Sequence, residues 1–285
     1  MKLALNTFAY EVARVRAEEW VRSARRFGFR YVEWAAYQQG DPSGMDKARR
    51  RDLAAMFDDN GLYCAQMLLT NVEHLASTDV GKRREASEYM KRVTDFQLEL
   101  GGKQVLVCWG CGVLEAGVMP ERNWILMVEA LREFAEWCLA KHVLIDLELD
   151  PHVYFLVNNT VKMARVIEDI GMPNVFPNVD IGHLTITREA PVCLEKLRDR
   201  ILHVHLSETD TYVHTNSILG TGKADFRAYV DKVMELGIED NCRRFDEPCV
   251  AGIEMGERSG SVDDPERWVK ESLEYLARVL PDVTR

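Results

Sequence analysis

The sequence predicts an α/β fold, a (β/α)₈ TIM barrel formed by a single domain over residues 1–285. Two observations carry this expectation. Strand-like and helix-like segments alternate along the chain in eight consecutive pairs. The strand-like segments are apolar nearly throughout, the pattern of parallel strands buried on both faces, and the helices between them are long enough to serve as crossovers. Eight such units in a chain of this length fit a closed barrel better than a doubly wound open sheet, the rival arrangement. No Gly-x-Gly-x-x-Gly follows the first strand, which weakens a dinucleotide-binding sheet further.

In chain order, a strand at 3–7 precedes a helix at 18–27, and a strand at 31–35 precedes a charged amphipathic helix at 45–59. Asn60-Gly61 closes that helix with a C-cap signature. A strand at 63–69 leads to a helix at 83–100, stopped by Gly101-Gly102, and a strand at 104–109 to a long helix at 122–141. Strand 143–149 is followed by helix 160–170, ended by Gly171, and strand 175–181 by helix 189–198. Strand 201–206 precedes helix 225–236, ended by Gly237, and strand 250–255 precedes helix 265–279. No linker or low-complexity tract divides the chain.

Composition narrows the function classes. The hydrophobic fraction of 47% and charged fraction of 29% are those of an ordinary globular protein. A formal charge of −10 argues against a nucleic-acid surface, because phosphate neutralisation needs clustered Lys and Arg. No stretch reaches the roughly 18 apolar residues of a membrane span, and the start turns polar too soon for a signal peptide. Seven cysteines without framework spacing fit a reducing compartment, so a cytoplasmic location is expected. Cys108-Trp-Gly-Cys111 has no second pair to complete a zinc tetrahedron and reads as core and loop cysteine.

Four residues in the second half read as one divalent-metal site: Glu148, Asp180, His205 and Glu254. Each stands at or near the C-terminal end of a buried-strand segment, and those ends meet at the mouth where barrel enzymes keep their chemistry. Three carboxylates and one imidazole suit a hard or borderline cation, Mn²⁺ first and Mg²⁺ or Co²⁺ as alternatives. Glu148 and Glu254 each interrupt an apolar strand, where a lone inward carboxylate must protonate or find a cation. Asp146 shares the face of Glu148 by the two-residue period, one step deeper, and reads as structural.

His203 and His205 point the same way for the same reason. His203 is expected to hold a carboxylate behind the site or to contact substrate; a core histidine satisfied by a backbone carbonyl is the alternative. His183 leaves the strand end three residues after Asp180 and can touch what the metal holds, with an ordinary loop histidine as the alternative. Trp34 and Trp109, at the ends of strands two and four, are candidates for an apolar wall of the mouth, and core packing explains each as well. Lys223, in a Gly-Thr-Gly-Lys loop without Walker spacing, reads as a solvent lysine.

With these motifs the chain resembles the xylose isomerase-like barrel superfamily, in the sugar isomerase and epimerase branch of tagatose 3-epimerases, hydroxypyruvate isomerases and inosose dehydratases. The resemblance rests on Pro173-Asn-Val175, Asn178-Val-Asp-Ile-Gly-His-Leu184, His203-Val-His-Leu-Ser-Glu208, Leu219-Gly-Thr-Gly-Lys-Ala-Asp-Phe226 and Ile253-Glu254, in that order. It implies metal ligation by Glu148, Asp180, His205 and Glu254, an acid/base pair in Glu148 and Glu254, and substrate binding by His183. Glu33, in Tyr31-Val-Glu-Trp34, resembles the strand-two glutamate of the branch and is expected to face the pocket. The implied activity is isomerisation or epimerisation of a sugar, keto-sugar or cyclitol by proton abstraction next to a carbonyl. The alternative is a lyase that uses the same first step, such as an inosose dehydratase or a 3-keto-glycoside eliminase, including enzymes that cleave C-glycosides. An endonuclease IV-like repair enzyme is the remote third, since it needs more histidines and a basic face.

Two departures from the free-ketose 3-epimerases stand out. Those enzymes carry a second Glu six residues after the strand-five Glu, and an Arg six residues after the metal histidine; here Tyr154 and Thr211 occupy those places, with His152 and His214 nearby. Both point away from a simple free ketohexose, and His152 is expected to serve as a separate acid or base. The expected partner is a small carbohydrate, with neither nucleic acid nor membrane. Assembly as a homo-oligomer, or with a small partner subunit, is also expected from the branch.

Overall fold

Eight parallel strands close into a barrel in chain order: β1 (Lys2–Asn6), β2 (Tyr31–Ala36), β3 (Tyr63–Leu69), β4 (Gln104–Val107), β5 (Leu144–Glu148), β6 (Val175–Asp180), β7 (His203–Ser207) and β8 (Val250–Glu254). The computed structural model describes residues 1–256 and 262–285. Around the barrel lie α1 (Phe8–Val12), α2 (Ala17–Arg26), α3 (Lys47–Asp59), α4 (Val80–Glu99), α5 (Pro120–Leu139), α6 (Thr160–Ile170), α7 (Ile181–Ile186), α8 (Phe226–Glu235), α9 (Ile238–Arg244) and α10 (Pro265–Val279). Asp46, Asp79, Asn159, Asp225 and Asp264 each cap a helix by accepting backbone N–H groups that have no partner within the helix. None of the described helices is long and apolar enough to cross a membrane.

The expected alternation is present, with differences in detail, among them the unexpected short helices α1 and α9. β4 stops at Val107 because Trp109, Gly110 and Cys111 all take left-handed φ angles (60°, 46° and 56°), which no strand tolerates. The segment expected as a helix at 189–198 is a 3₁₀ stretch, Pro191–Leu197, started by proline. Asp180 caps a short helix, α7, that the hydrophobic pattern does not announce.

The large core lies between strands and helices. Trp34 belongs there, packed on Trp20, Phe57 and Phe96 with no exposed surface, rather than at the mouth. Inside the barrel, Ala4, Ala65 and Val250, flanked by Tyr31 and Tyr63, form a small separate cluster. A register shift opposite Val32 and Glu33 brings Gln66 level with Glu33. Such a bulge re-aims a side chain. The space needed by Glu33 is left by Gly252, where a Cβ would stand 1.9 Å from the carboxylate oxygen Oε1.

Glu11 of α1 is buried and ties the first loop to the second. Its Oε1 accepts from Gln39 N at 2.6 Å and Gly40 N at 3.4 Å, while Oε2 has no partner. Burial pushes its carboxyl up from 4.5 to about 7. The folded chain therefore binds this proton more tightly than the unfolded chain, and its contribution to stability falls as pH rises between those two values. Glu11→Gln keeps the acceptor without the charge. Its melting temperature is expected to match the parent near pH 4.5 and exceed it near pH 8. A difference that does not change with pH, measured by thermal unfolding, contradicts this account.

Candidate metal centre

β5, β6, β7 and β8 bring Glu148, Asp180, His205 and Glu254 together, with one donor atom from each inside a sphere where all lie within 4.8 Å of one another. His205 Nδ1 is at the focus: 2.9 Å from Glu254 Oε2, 3.1 Å from Glu148 Oε1 and 4.0 Å from Asp180 Oδ2. Two of the three carboxylates also accept hydrogen bonds from their surroundings. Asp180 Oδ1 accepts from His183 N at 2.7 Å and from Ser207 Oγ at 2.6 Å, and Glu148 Oε1 accepts from Asn178 Nδ2 at 2.9 Å. Asp180 Oδ2 and Glu254 Oε2 are buried and receive no hydrogen bond. Unpartnered anionic oxygens aimed at one imidazole nitrogen fit a divalent cation, which would take Nδ1 as a neutral ligand.

The rest of the interior fixes that nitrogen. His205 Nε2 lies 3.0 Å from Gln66 Oε1, and Gln66 Nε2 donates to Asp146 Oδ2 at 2.6 Å, as does Gln104 Nε2. Gln66 can only accept at that oxygen, so Nε2 of His205 carries a proton, and Nδ1, facing the carboxylates, is the nitrogen that would ligate a cation. Glu33 and His203 lie beneath the quartet. Glu33 Oε1 accepts from His203 Nε2 at 2.6 Å, and Oε2 accepts from Asn6 Nδ2 at 3.0 Å. Both side chains have no exposed surface, and neither lines the cavity above. His203 thus holds the Glu33 carboxylate behind the quartet.

A cavity of about 240 Å³ opens directly over the quartet. Of the four residues only Glu148 and Glu254 line it; Asp180 and His205 stand behind them. Trp109, His152 and His183 also line it, together with Asp150, Tyr154, Phe155 and His214. Burial pushes Glu148 up to about 7. Burial acts on Glu254 in the same sense, but the facing His205 and His183 override it and hold its carboxyl below the usual range. Burial opposes charge on His183, and Asp180, Asp150 and Glu148 lift it to about 9 all the same. Its Nδ1 donates to Leu149 O at 2.7 Å and its Nε2 to His214 Nδ1 at 3.1 Å. His214, driven down to about 3 by burial and by His183, is the neutral acceptor that this needs.

Gln66, Asn178, Ser207 and Asp150 were not singled out from the sequence. Gln66 shows the same signal as the two glutamates, a polar residue interrupting an apolar strand, while Ser207 reaches Asp180 only through the pairing of β6 with β7.

A closed parallel barrel with a buried carboxylate and imidazole quartet at its mouth defines a (β/α)₈ protein whose donor set fits a divalent cation. The chain belongs to the xylose isomerase-like TIM barrel family, whose model matches residues 21–279. Its relatives include the L-ribulose 3-epimerase of Mesorhizobium japonicum, 25% identical over 251 residues, covering 84% of this chain and 79% of that protein. The fructoselysine 3-epimerase of Escherichia coli is 24% identical over 210 residues, covering 72% and 70%. Similar solved structures include the D-psicose 3-epimerase of Clostridium cellulolyticum with D-tagatose, with TM-score 0.78 and 17% identity over 98% of this chain and 99% of that one. The IOLI protein with a bound zinc atom has TM-score 0.81 and 18% identity over 99% of both chains.

Two variants test how the site is held. Gln66→Leu removes the acceptor that fixes His205, and metal affinity is expected to fall about 10–100-fold with the fold kept; unchanged affinity in calorimetric titration would show that Gln66 does not orient the ligand. Gly252→Ala places a methyl group against Glu33 and is expected to cost about 1–3 kcal/mol of stability. Thermal unfolding with parental stability would mean that Glu33 moves aside freely.

Proposed function

We propose that this protein is a divalent-metal-dependent epimerase or isomerase of a ketose or related keto-sugar, acting at a carbon next to the carbonyl. One observation carries the reading: the two quartet members that reach the cavity are both glutamates, from β5 and β8. The curated relatives support it, since they are sugar 3-epimerases. Mn²⁺ suits the oxygen-rich donor set best, with Mg²⁺ or Co²⁺ as substitutes.

A cation held by Glu148, Asp180, His205 and Glu254 would supply Lewis acidity toward a carbonyl oxygen and the charge that grows on it. Glu148 and Glu254 divide the proton work: one carboxylate removes the proton from the carbon, and the other returns one. Return to the same carbon from the other side gives an epimer; return to the adjacent carbon gives an isomer. His183, with both ring nitrogens engaged as donors, supplies positive charge at the cavity wall. Asp180 and His205 hold position behind the reacting groups.

His152 supports a second reading. It lines the same cavity and stacks on Tyr154 at 5.5 Å, within the wall and outside the quartet. A third acid there can protonate a departing group, so the same abstraction followed by elimination makes a dehydratase or a 3-keto-glycoside lyase.

The deciding measurement is NMR of the Mn²⁺-loaded protein in D₂O with ketoses, inososes and 3-keto-glycosides. Deuterium beside the carbonyl with an isomeric product is expected. Loss of water or of an aglycone moves the protein to the second reading, and no exchange despite bound metal sinks both. Glu148→Gln and Glu254→Gln are each expected to lower turnover about 10²–10⁴-fold with unchanged circular dichroism; near-normal turnover in either defeats the two-base scheme.

A further inference from the structure

The cavity over the quartet has room for little more than one sugar ring, yet it is not the whole of the mouth. A second chamber of about 1060 Å³ adjoins it, and Phe8, Thr70, Trp109, Tyr154 and Phe155 line both. The second chamber runs outward between the loops after β1, β2, β3 and β4, past Val12, Ala13, Tyr37, Asn71 and Val113. Arg14 and Glu73 are its charged lining residues among those described.

The passage between the chambers is a run of rings. Trp109 stacks on Phe155 with centroids 6.3 Å apart and planes within 19°, Phe155 meets Tyr154 at 4.5 Å, and Tyr154 stacks on His152 at 5.5 Å and 9°. The run is held rigidly. Trp109 donates its indole N–H to Thr70 O, and its own backbone and that of Gly110 and Cys111 are left-handed. A Cβ on Gly110 would lie 2.6 Å from Val157 O and 2.8 Å from Phe155 Cβ, so this loop is pressed against the loop that carries Phe155. Backbone strain kept in place at a cavity wall is a mark of a ligand-contacting surface. Flat rings in series, beside a sugar-sized space, offer stacking to a flat partner.

We propose that the substrate is a keto-sugar bearing an aromatic substituent, the sugar over the quartet and the aromatic ring in the second chamber. This rests on the ketose reading of the site given above.

The test uses the full-length Mn²⁺-loaded protein and four probes: D-fructose, 1-butylamino-1-deoxy-D-fructose, 1-anilino-1-deoxy-D-fructose and 6-O-phenyl-D-fructose. Exchange beside the carbonyl is read by NMR in D₂O, and Kd by calorimetry. One of the two aryl ketoses is expected to bind and react with KM about tenfold or more below D-fructose, the amount that one or two ring contacts supply. Ala13→Trp fills the far end of the second chamber away from the quartet, and Val113→Trp serves if that variant misfolds. Either is expected to remove the advantage of the aryl ketose and leave D-fructose unchanged. Equal KM for all four probes, a preference for the butylamino ketose, or an equal effect of the Trp variants on every probe overturns the inference and leaves the ketose reading standing. No exchange with any probe, with metal bound, overturns the ketose reading and this inference with it.

Discussion

Three carboxylates directed at one imidazole nitrogen inside a barrel are tolerable only if positive charge arrives among them, because burial penalises each anion and their mutual repulsion adds to that. The interior is organised around this requirement. Where a barrel of this type ordinarily stacks layers of Val, Ile and Leu, this one carries Asn6, Glu33, Gln66, Asp146, Asn178 and His203, all buried. Each has a partner: Glu33 with His203 and Asn6, Gln66 with Asp146 and His205, Asn178 with Glu148. The polar groups therefore behave as one network whose upper end is the quartet, and such networks hold geometry only when their members are satisfied. Asp146 Oδ1, Asn178 Oδ1 and His203 Nδ1 are left without a partner within it, as are Asp180 Oδ2 and Glu254 Oε2, and only the last two belong to the quartet.

Much of this was legible in the sequence, for a physical reason. A carboxylate in the middle of an apolar strand has few explanations, so Glu148 and Glu254 declare themselves, and the alternation of strands with helices places their ends at one mouth. Depth is harder to read. Period two puts His203 and His205 on one face, but two residues of strand separate them by about 6.6 Å along the barrel. That step carries His203 out of reach of the cavity and into the grip of Glu33. Sidedness fails in the same way for tryptophan: Trp34 and Trp109 are both near strand ends, and only the left-handed turn after β4 brings Trp109 to the mouth. Gln66 interrupts an apolar strand as the glutamates do, but its inward aim depends on a bulge, which leaves no fixed mark in one sequence.

The loops obey different constraints from the strands. Strand residues are fixed by pairing, whereas Trp109, His152, His214 and the shared lining of the two chambers depend on how separate loops lean on one another. Gly110 illustrates this: its lack of a side chain serves the contact with Val157 and Phe155, almost 50 residues away in sequence. Likewise Glu208, buried at the end of β7, gathers Gly220 N and Ala224 N onto its carboxylate, which fixes the far end of the loop that carries His214.

This division bears on how chemistry and selectivity are assigned. On the proposed function, the quartet and its two cavity-facing glutamates serve to remove a proton beside a polarised carbonyl, and epimerisation, isomerisation and elimination all begin that way. The fate of the deprotonated substrate depends on which acid it next meets and on how far the substrate extends. Both are properties of the wall formed by Trp109, His152, Tyr154 and Phe155, which belongs to the loops after β4 and β5. A change confined to those two loops can therefore alter the substrate, or turn an epimerase into a lyase, without disturbing any residue of the quartet.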